Sequence, residues 1–184
     1  EPMPKRKTIR KRSRTSRPAL AAHLSDGFRL NASAPSHGSI PTAFPGKAFP
    51  IVGLGASAGG LEALEEFFKQ MPPDGGMAFV VVTHQQPGHT SLLPELLRRC
   101  AAMPVVEASD NLRVKQNCIY VARPDGYLAM VNGKLQFMDG PDSSAVRLPI
   151  DYFFRSLAED QRERAVGIIL SGTASDGTLG VKAI

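Results

Sequence analysis

Residues 49–68 read FPIVGLGASAGGLEALEEFF. An apolar run passes through a cluster of small residues and then into a pattern with helical spacing. Leu61, Leu64, Phe67 and Phe68 fall on one helical face. A buried strand, a tight turn and an amphipathic helix in that order are the start of a βαβ unit. Ser57 lies at the bend, within Gly55-Ala56-Ser57-Ala58-Gly59. Small neighbours there permit a sharp turn and close approach of another molecule.

The alternation continues outward from this stretch. Residues 77–83, MAFVVVT, form the strongest predicted strand. They are apolar at every position before Thr83, as expected of a parallel strand covered on both faces. HTSLLPELLRRCAAM reads as a helix capped by Thr90 or Ser91, with Pro94 near its start. MPVVEA is a short strand, and PIDYFFRSLAEDQ is a helix with Asp151 near its start. AVGIILSG, residues 165–172, is a second strongly apolar strand, and ASDGTLGVKAI opens a further helix. Between MPVVEA and PIDYFFRSLAEDQ, NCIYVARPDGYLAMVNGKLQFM contains the turn signals PDG and NG, which predict an antiparallel excursion on the sheet edge. The fold class is α/β: a doubly wound, mostly parallel sheet with helices on both faces and a small antiparallel hairpin. A chain that stops inside a helix after a core strand is expected to lack the C-terminal part of its domain.

Charge separates the chain into two parts. Residues 1–48 hold ten Lys and Arg against two acidic residues, a net +8, whereas the remainder of the 184 residues is net −3. The first segment is rich in Pro, Ser, Arg and Ala without apolar periodicity, so we expect a disordered basic tail over 1–48 and a folded domain over 49–184. No aromatic residue interleaves the charges of KRKTIRKRSR, so a solvated tail is expected and a specific nucleic-acid partner is not. No apolar run approaches membrane-spanning length, so no membrane insertion is expected. Cys100 and Cys118 lack metal-ligand spacing and read as free thiols in a reducing, cytoplasmic setting. No metal and no cofactor are expected.

Three polar residues stand at the carboxyl ends of the best strands: Ser57, His84 in VVVTHQQPGHT, and Asp176 in IILSGTASDGT. In a parallel sheet those ends share one edge, where ligands collect. A serine near neutral pH needs a base, a histidine supplies one, and a carboxylate behind the ring fixes its tautomer. Each residue also has a plainer reading. Gly-x-Ser-x-Gly is a weak signal alone, His84 suits any polar strand end, and Asp176 suits a helix cap. The conjunction favours a hydrolytic triad. His89 is a rival base, five residues further on. Gly53-Leu54-Gly55-Ala56-Ser57-Ala58 also fits a dinucleotide-binding variant, but the second strand ends in Thr83-His84-Gln85-Gln86 rather than in the acid that would hold a ribose.

These residues resemble the chemotaxis protein-glutamate methylesterase family, CheB. GASAGGLEAL is similar to that family's nucleophile turn, VVVTHQQPGHTSLLPELL to its histidine segment, and VGIILSGTASDGTLGVKAI to its aspartate segment. NCIYVARPDGYLAM and RLPIDYFFRSLAED resemble the intervening stretches, in family order, over residues 49–184. The resemblance implies hydrolysis of glutamate γ-methyl esters on the cytoplasmic helices of chemoreceptors, with glutamine deamidation as companion activity. It implies Ser57 as nucleophile, His84 as base and Asp176 as orienting carboxylate. The backbone N–H groups of Ala58 and Thr173 would form the oxyanion hole. Many members carry Thr and Met at those last two positions. The receiver domain usual in the family has no counterpart in residues 1–48. The chain most resembles versions in which the esterase domain opens a longer chain with a methyltransferase domain. A module that keeps the triad but only binds receptors or neighbouring domains is the alternative.

Overall fold

The computed structural model describes residues 48–57, 59–84, 91–138, 147–171 and 176–184. The expected tail falls outside them except for Ala48. Five parallel strands form the main sheet: β1 (Ile51–Ala56), β2 (Ala78–Thr83), β3 (Val105–Glu107), β5 (Ile119–Val121) and β8 (Ala165–Ser171), in the order β3-β5-β2-β1-β8. A separate antiparallel sheet is built from β4 (Leu112–Arg113), β6 (Tyr127–Val131) and β7 (Lys134–Met138). Among the described residues, four α-helices accompany them: α1 (Leu61–Gln70), α2 (Leu93–Cys100), α3 (Pro149–Gln161) and α4 (Thr178–Ala183).

The inner strands β1 and β2 are covered on both sides, which explains why they are apolar without alternation, whereas the edge strand β8 leaves Val166 and Ile169 exposed. On one face, Val52, Leu54 and Ala56 of β1 and Phe79 and Val81 of β2 pack with Leu64 and Phe68 of α1 and Leu93 and Leu97 of α2. Phe68 and Phe79 meet edge to face, with centroids 5.5 Å apart. On the other face, Ile51, Ala78, Val80 and Val82 pack with Phe153, Phe154 and Leu157 of α3 and with Leu128, Met130 and Leu135 of the small sheet.

Helix α3 comes unusually close to β1. A Cβ on Gly53 would lie 2.8 Å from Cε1 of Phe154, and one on Gly55 would lie 2.6 Å from Cγ2 of Ile150. The glycines of the IVGLGA strand therefore serve packing as well as the turn. The same helix clamps the small sheet. The Ser156 hydroxyl accepts the Met130 N–H at 3.0 Å, and the Asp160 carboxylate accepts the N–H groups of Asn132 and Gly133 in the hairpin turn. Both turn residues have positive φ, 52° and 70°, as the Asn-Gly pair predicts.

The structure departs from the sequence reading at two places. The antiparallel excursion is not on the edge of the main sheet. Ile119–Val121 is an interior parallel strand between β3 and β2, and only the residues after PDG join the second sheet, to which β4 also contributes. IYV is too short to carry periodicity, so its buried position could not be distinguished from a hairpin arm. The N-cap of α2 is Leu92, with no side-chain cap bond, and Ser91 Oγ accepts the Leu93 N–H at 3.3 Å instead. Thr90, the other expected cap, lies outside the described residues.

The Gly53 contact is directly testable. Gly53→Val forces methyl groups into the Phe154 and Leu157 side chains and should destabilise the domain by about 1–3 kcal/mol. Gly75→Ala, at an exposed site where a Cβ meets only ordinary contacts, should stay within about 0.5 kcal/mol of wild type. Urea midpoints decide the matter, and equal midpoints for the two variants would mean that α3 does not rest on β1.

Candidate active site

The three strand-end residues do converge on one edge. Strand β1 is flanked by β2 on one side and β8 on the other, so the carboxyl ends that lead to Ser57, His84 and Asp176 are neighbours. A bulge shifts the β1–β8 register between Gly55 and Ala56, where Ile169 opposes Gly55 but Ser171 opposes Ala56. The extra residue bends the strand just before the segment that carries Asp176.

After β1 the chain turns at once. The Gly60 N–H donates to the Ser57 carbonyl at 2.8 Å, and Gly59 adopts φ 94°. A Cβ on Gly60 would lie 2.7 Å from that of Ala56. Only small residues can build so tight a turn. Ser57 Oγ is buried and meets no hydrogen-bond partner among the described residues. Ser57 and His84 line one cleft of about 450 Å³ with Ala56, Leu64, Leu92 and Leu96. The hydrogen bond that a nucleophilic serine and its base would share is not made between Ser57 and His84 in this conformation. Such bonds are often long before substrate binds.

His84 follows β2, and its N–H donates to the Ala56 carbonyl at 3.2 Å. Its side chain is 42% exposed, whereas that of Asp176 is only 2% exposed. His84 Nδ1 lies 3.7 Å from Asp176 Oδ2. The carboxylate does not cap its own helix. The N-cap of α4 is Gly177, with no side-chain cap bond. Instead Asp176 accepts the N–H groups of Ile150 at 3.2 Å and Asp151 at 2.9 Å, both in the first turn of α3. Burial pushes the Asp176 pKa above the ordinary aspartate value, and the nearby Asp151 carboxylate adds to the rise. The two backbone donors and His84 act in the opposite direction. Gly177 makes this arrangement possible. It has φ 93°, and a Cβ there would come within 2.3 Å of Ile169 Cδ1.

Asp151 is a residue whose place the sequence did not disclose. It looked like an ordinary first-turn acid, yet it is buried and accepts the Gly180 N–H of α4 at 2.6 Å. Its backbone holds Asp176 while its side chain holds the helix that follows Asp176. Ala58 and Thr173, the expected oxyanion-hole donors, and His89 lie outside the described residues. Cys100 and Cys118 are free thiols. Among the described residues, no group of His, Cys, Asp and Glu could hold a metal ion, and no helix is long and apolar enough to cross a membrane.

Residues 52–184 match the family model for CheB methylesterase. A protein-glutamate methylesterase/protein-glutamine glutaminase of Yersinia pestis bv. Antiqua (strain Antiqua) is 33% identical over 135 residues, covering 71% of this chain and 38% of its own. The protein of the same description from Geobacillus kaustophilus is 35% identical over 161 residues, covering 83% and 46%. The chain thus spans less than half the length of these curated relatives. The crystal structure of the Thermotoga maritima CheB methylesterase catalytic domain superposes with a TM-score of 0.66 and 32% identity, covering 73% of this chain and 75% of that one. The match in sequence over most of the folded region, and in the arrangement of the sheet, establishes that the chain belongs to the CheB methylesterase family.

Proposed function

We propose that this domain is a serine hydrolase that removes methyl esters from glutamate side chains of a chemoreceptor's cytoplasmic helices, working in the cytoplasm. The observation that carries the proposal is the meeting of His84, Ser57 and Asp176 at the carboxyl ends of the adjacent strands β2, β1 and β8. The serine and the histidine share a cleft, and the carboxylate stands behind the ring at Nδ1. With Nδ1 turned to Asp176, the other ring nitrogen is the one available to serve Ser57.

The reaction then runs as follows. Ser57 Oγ attacks the ester carbonyl carbon while His84 takes the hydroxyl proton. The tetrahedral oxyanion is held by the backbone N–H groups assigned to Ala58 and Thr173. Collapse expels methanol, which receives the proton from His84 and leaves an acyl-Ser57 ester. Water attacks that ester with His84 again as base, releasing the glutamate carboxylate and the free serine. A glutamine side chain would pass through the same acyl-enzyme with ammonia as the leaving group, in keeping with the second half of the relatives' name. The leucines of the cleft suit the aliphatic stem of such a side chain and its methyl group.

Single changes Ser57→Ala and His84→Ala should each lower methanol release by several orders of magnitude. Asp176→Asn should lower it by about 10⁴-fold if the tautomer is lost as in other triads. The double variant of Ser57 and His84 should lose little more than either single one, because residues acting as a unit are not additive. Hydrolysis of a glutamate γ-methyl ester by the four variants measures this. Independent, multiplicative losses would remove the nucleophile–base assignment. Receptor binding without any turnover would favour a binding module.

Asp176 also links stability to pH. Its raised pKa means that the folded chain binds more protons than the unfolded chain across the window that starts near pH 4. The contribution of this group to stability is therefore largest below that window and declines as pH rises through the folded pKa. Asp176→Asn removes the titration. The melting temperature of wild type relative to Asp176→Asn should fall from about pH 4 upward. A relative rise would show that the Ile150 and Asp151 donors outweigh burial.

A further inference from the structure

His84 borders a second and far smaller cleft, of about 10 Å³ against about 450 Å³, that the hydrolytic scheme does not use and whose rim, not interior, could meet a carboxylate. Its lining comes from the end of β2, the β5–β6 connection and the start of α3, and includes Thr83, His84, Arg123, Gly126 and Arg147. It shares only Thr83 and His84 with the leucine-lined cleft that holds Ser57. We infer that Arg123 and Arg147 form a carboxylate-binding flank of the active site, which engages an acidic residue of the polypeptide that carries the ester. This inference rests on the hydrolase reading above and adds a recognition element to it.

Both guanidiniums are held in place rather than free to wander. Arg123 lies over the Phe137 ring, 4.1 Å from its centroid. Its Nε is buried and lacks a hydrogen-bond partner among the described residues. The Asp125 carboxylate is 3.6 Å from Nε and 67% exposed, so it offsets part of the charge without a hydrogen bond to that donor. Arg147 donates to the Gly126 carbonyl at 3.1 Å and lies 5.6 Å from the Tyr127 ring centroid. The buried Nε does not reach the cleft, but the terminal nitrogens of a planar fork held over a ring are well suited to a carboxylate, because little rotamer freedom remains to be lost on binding. The guanidinium groups themselves lie over aromatic rings, which holds the cations along the wall of the cleft that His84 borders. The arginines stand outside the leucine-lined cleft, so the neutral ester and the acidic neighbour would be received by different walls.

The test compares two synthetic peptides of one length, each with a single glutamate γ-methyl ester. In one the flanking residues are Glu, and in the other they are Gln. Wild-type kcat/KM should favour the acidic peptide by about 10-fold at low salt, and the preference should shrink as salt rises. Arg123→Met, which keeps the packing stem, and Arg147→Gln should each bring that ratio toward one, while Arg123→Lys should restore part of it. Fluorescence anisotropy of the same peptides without the ester gives a readout independent of turnover, and thermal melts report whether each variant is folded. If the anisotropy preference is present but no ester is cleaved, the hydrolase reading fails and the docking flank stands. Equal binding of the two peptides by wild type, or a preference that survives in folded Arg123→Met and Arg147→Gln, overturns the inference. Competition by free glutamate as effective as that by the acidic peptide would also overturn it, because the site would then bind anions in general.

Discussion

The carboxylate of Asp176, received by the first-turn N–H groups of α3, is the constraint on which the site depends. A buried carboxylate without partners is costly, and two backbone donors offset much of that cost. The positive end of α3 adds a favourable field. The same bonds fix where Asp176 can lie, and therefore which ring nitrogen of His84 it faces. Burial still dominates and leaves the pKa high. The position of α3 is thus coupled to the chemistry at the sheet edge, although no α3 side chain faces the cleft that holds Ser57.

That coupling requires α3 to sit close to the sheet, and the glycines of β1 make the close approach possible. Ile51, Gly53 and Gly55 alternate toward α3, while Val52, Leu54 and Ala56 face α1 and α2. With a Cβ at Gly55, Ile150 would have to withdraw, and the N–H it offers Asp176 would withdraw with it. The pattern IVGLGASAGG therefore meets two separate demands. Its first two glycines serve the interior, and the small residues after Ala56 serve the turn at Ser57.

Much of this was legible in the sequence because long apolar strands stand out from their surroundings. β1, β2 and β8, and the meeting of their carboxyl ends at one edge, followed from those runs and from the handedness of crossovers, and α3 from its helical spacing, although β8 is an edge strand with Val166 and Ile169 exposed among the described residues. What escaped depended on contacts distant in sequence. Three residues of β5 carry no period, and their neighbours in the sheet come from residues 79–81 and 105–107. Asp176 looked like a cap for the helix beside it, because local partners are the only ones a sequence displays. Its actual donors lie 25 and 26 residues earlier. Asp151 escaped for the same reason, since its partner Gly180 is 29 residues away.

The arrangement around His84 also explains how the site can keep two kinds of polarity apart. On one side, Ser57 sits among leucines, where a low dielectric would strengthen the bonds made to the oxyanion of the proposed hydrolysis. On the other, the two arginines line the narrower cleft. A cation placed among the leucines would be desolvated at a cost that the ester could not offset, since a neutral ester brings no countercharge. The end of β2 separates the two environments, and Thr83 and His84 belong to both. Beyond β2 the lining differs, with residues from 56–64 and 91–96 on one side and from 122–128 and 147–149 on the other. The partition therefore comes from the segments that flank the end of β2, and His84 occupies the position where both walls meet.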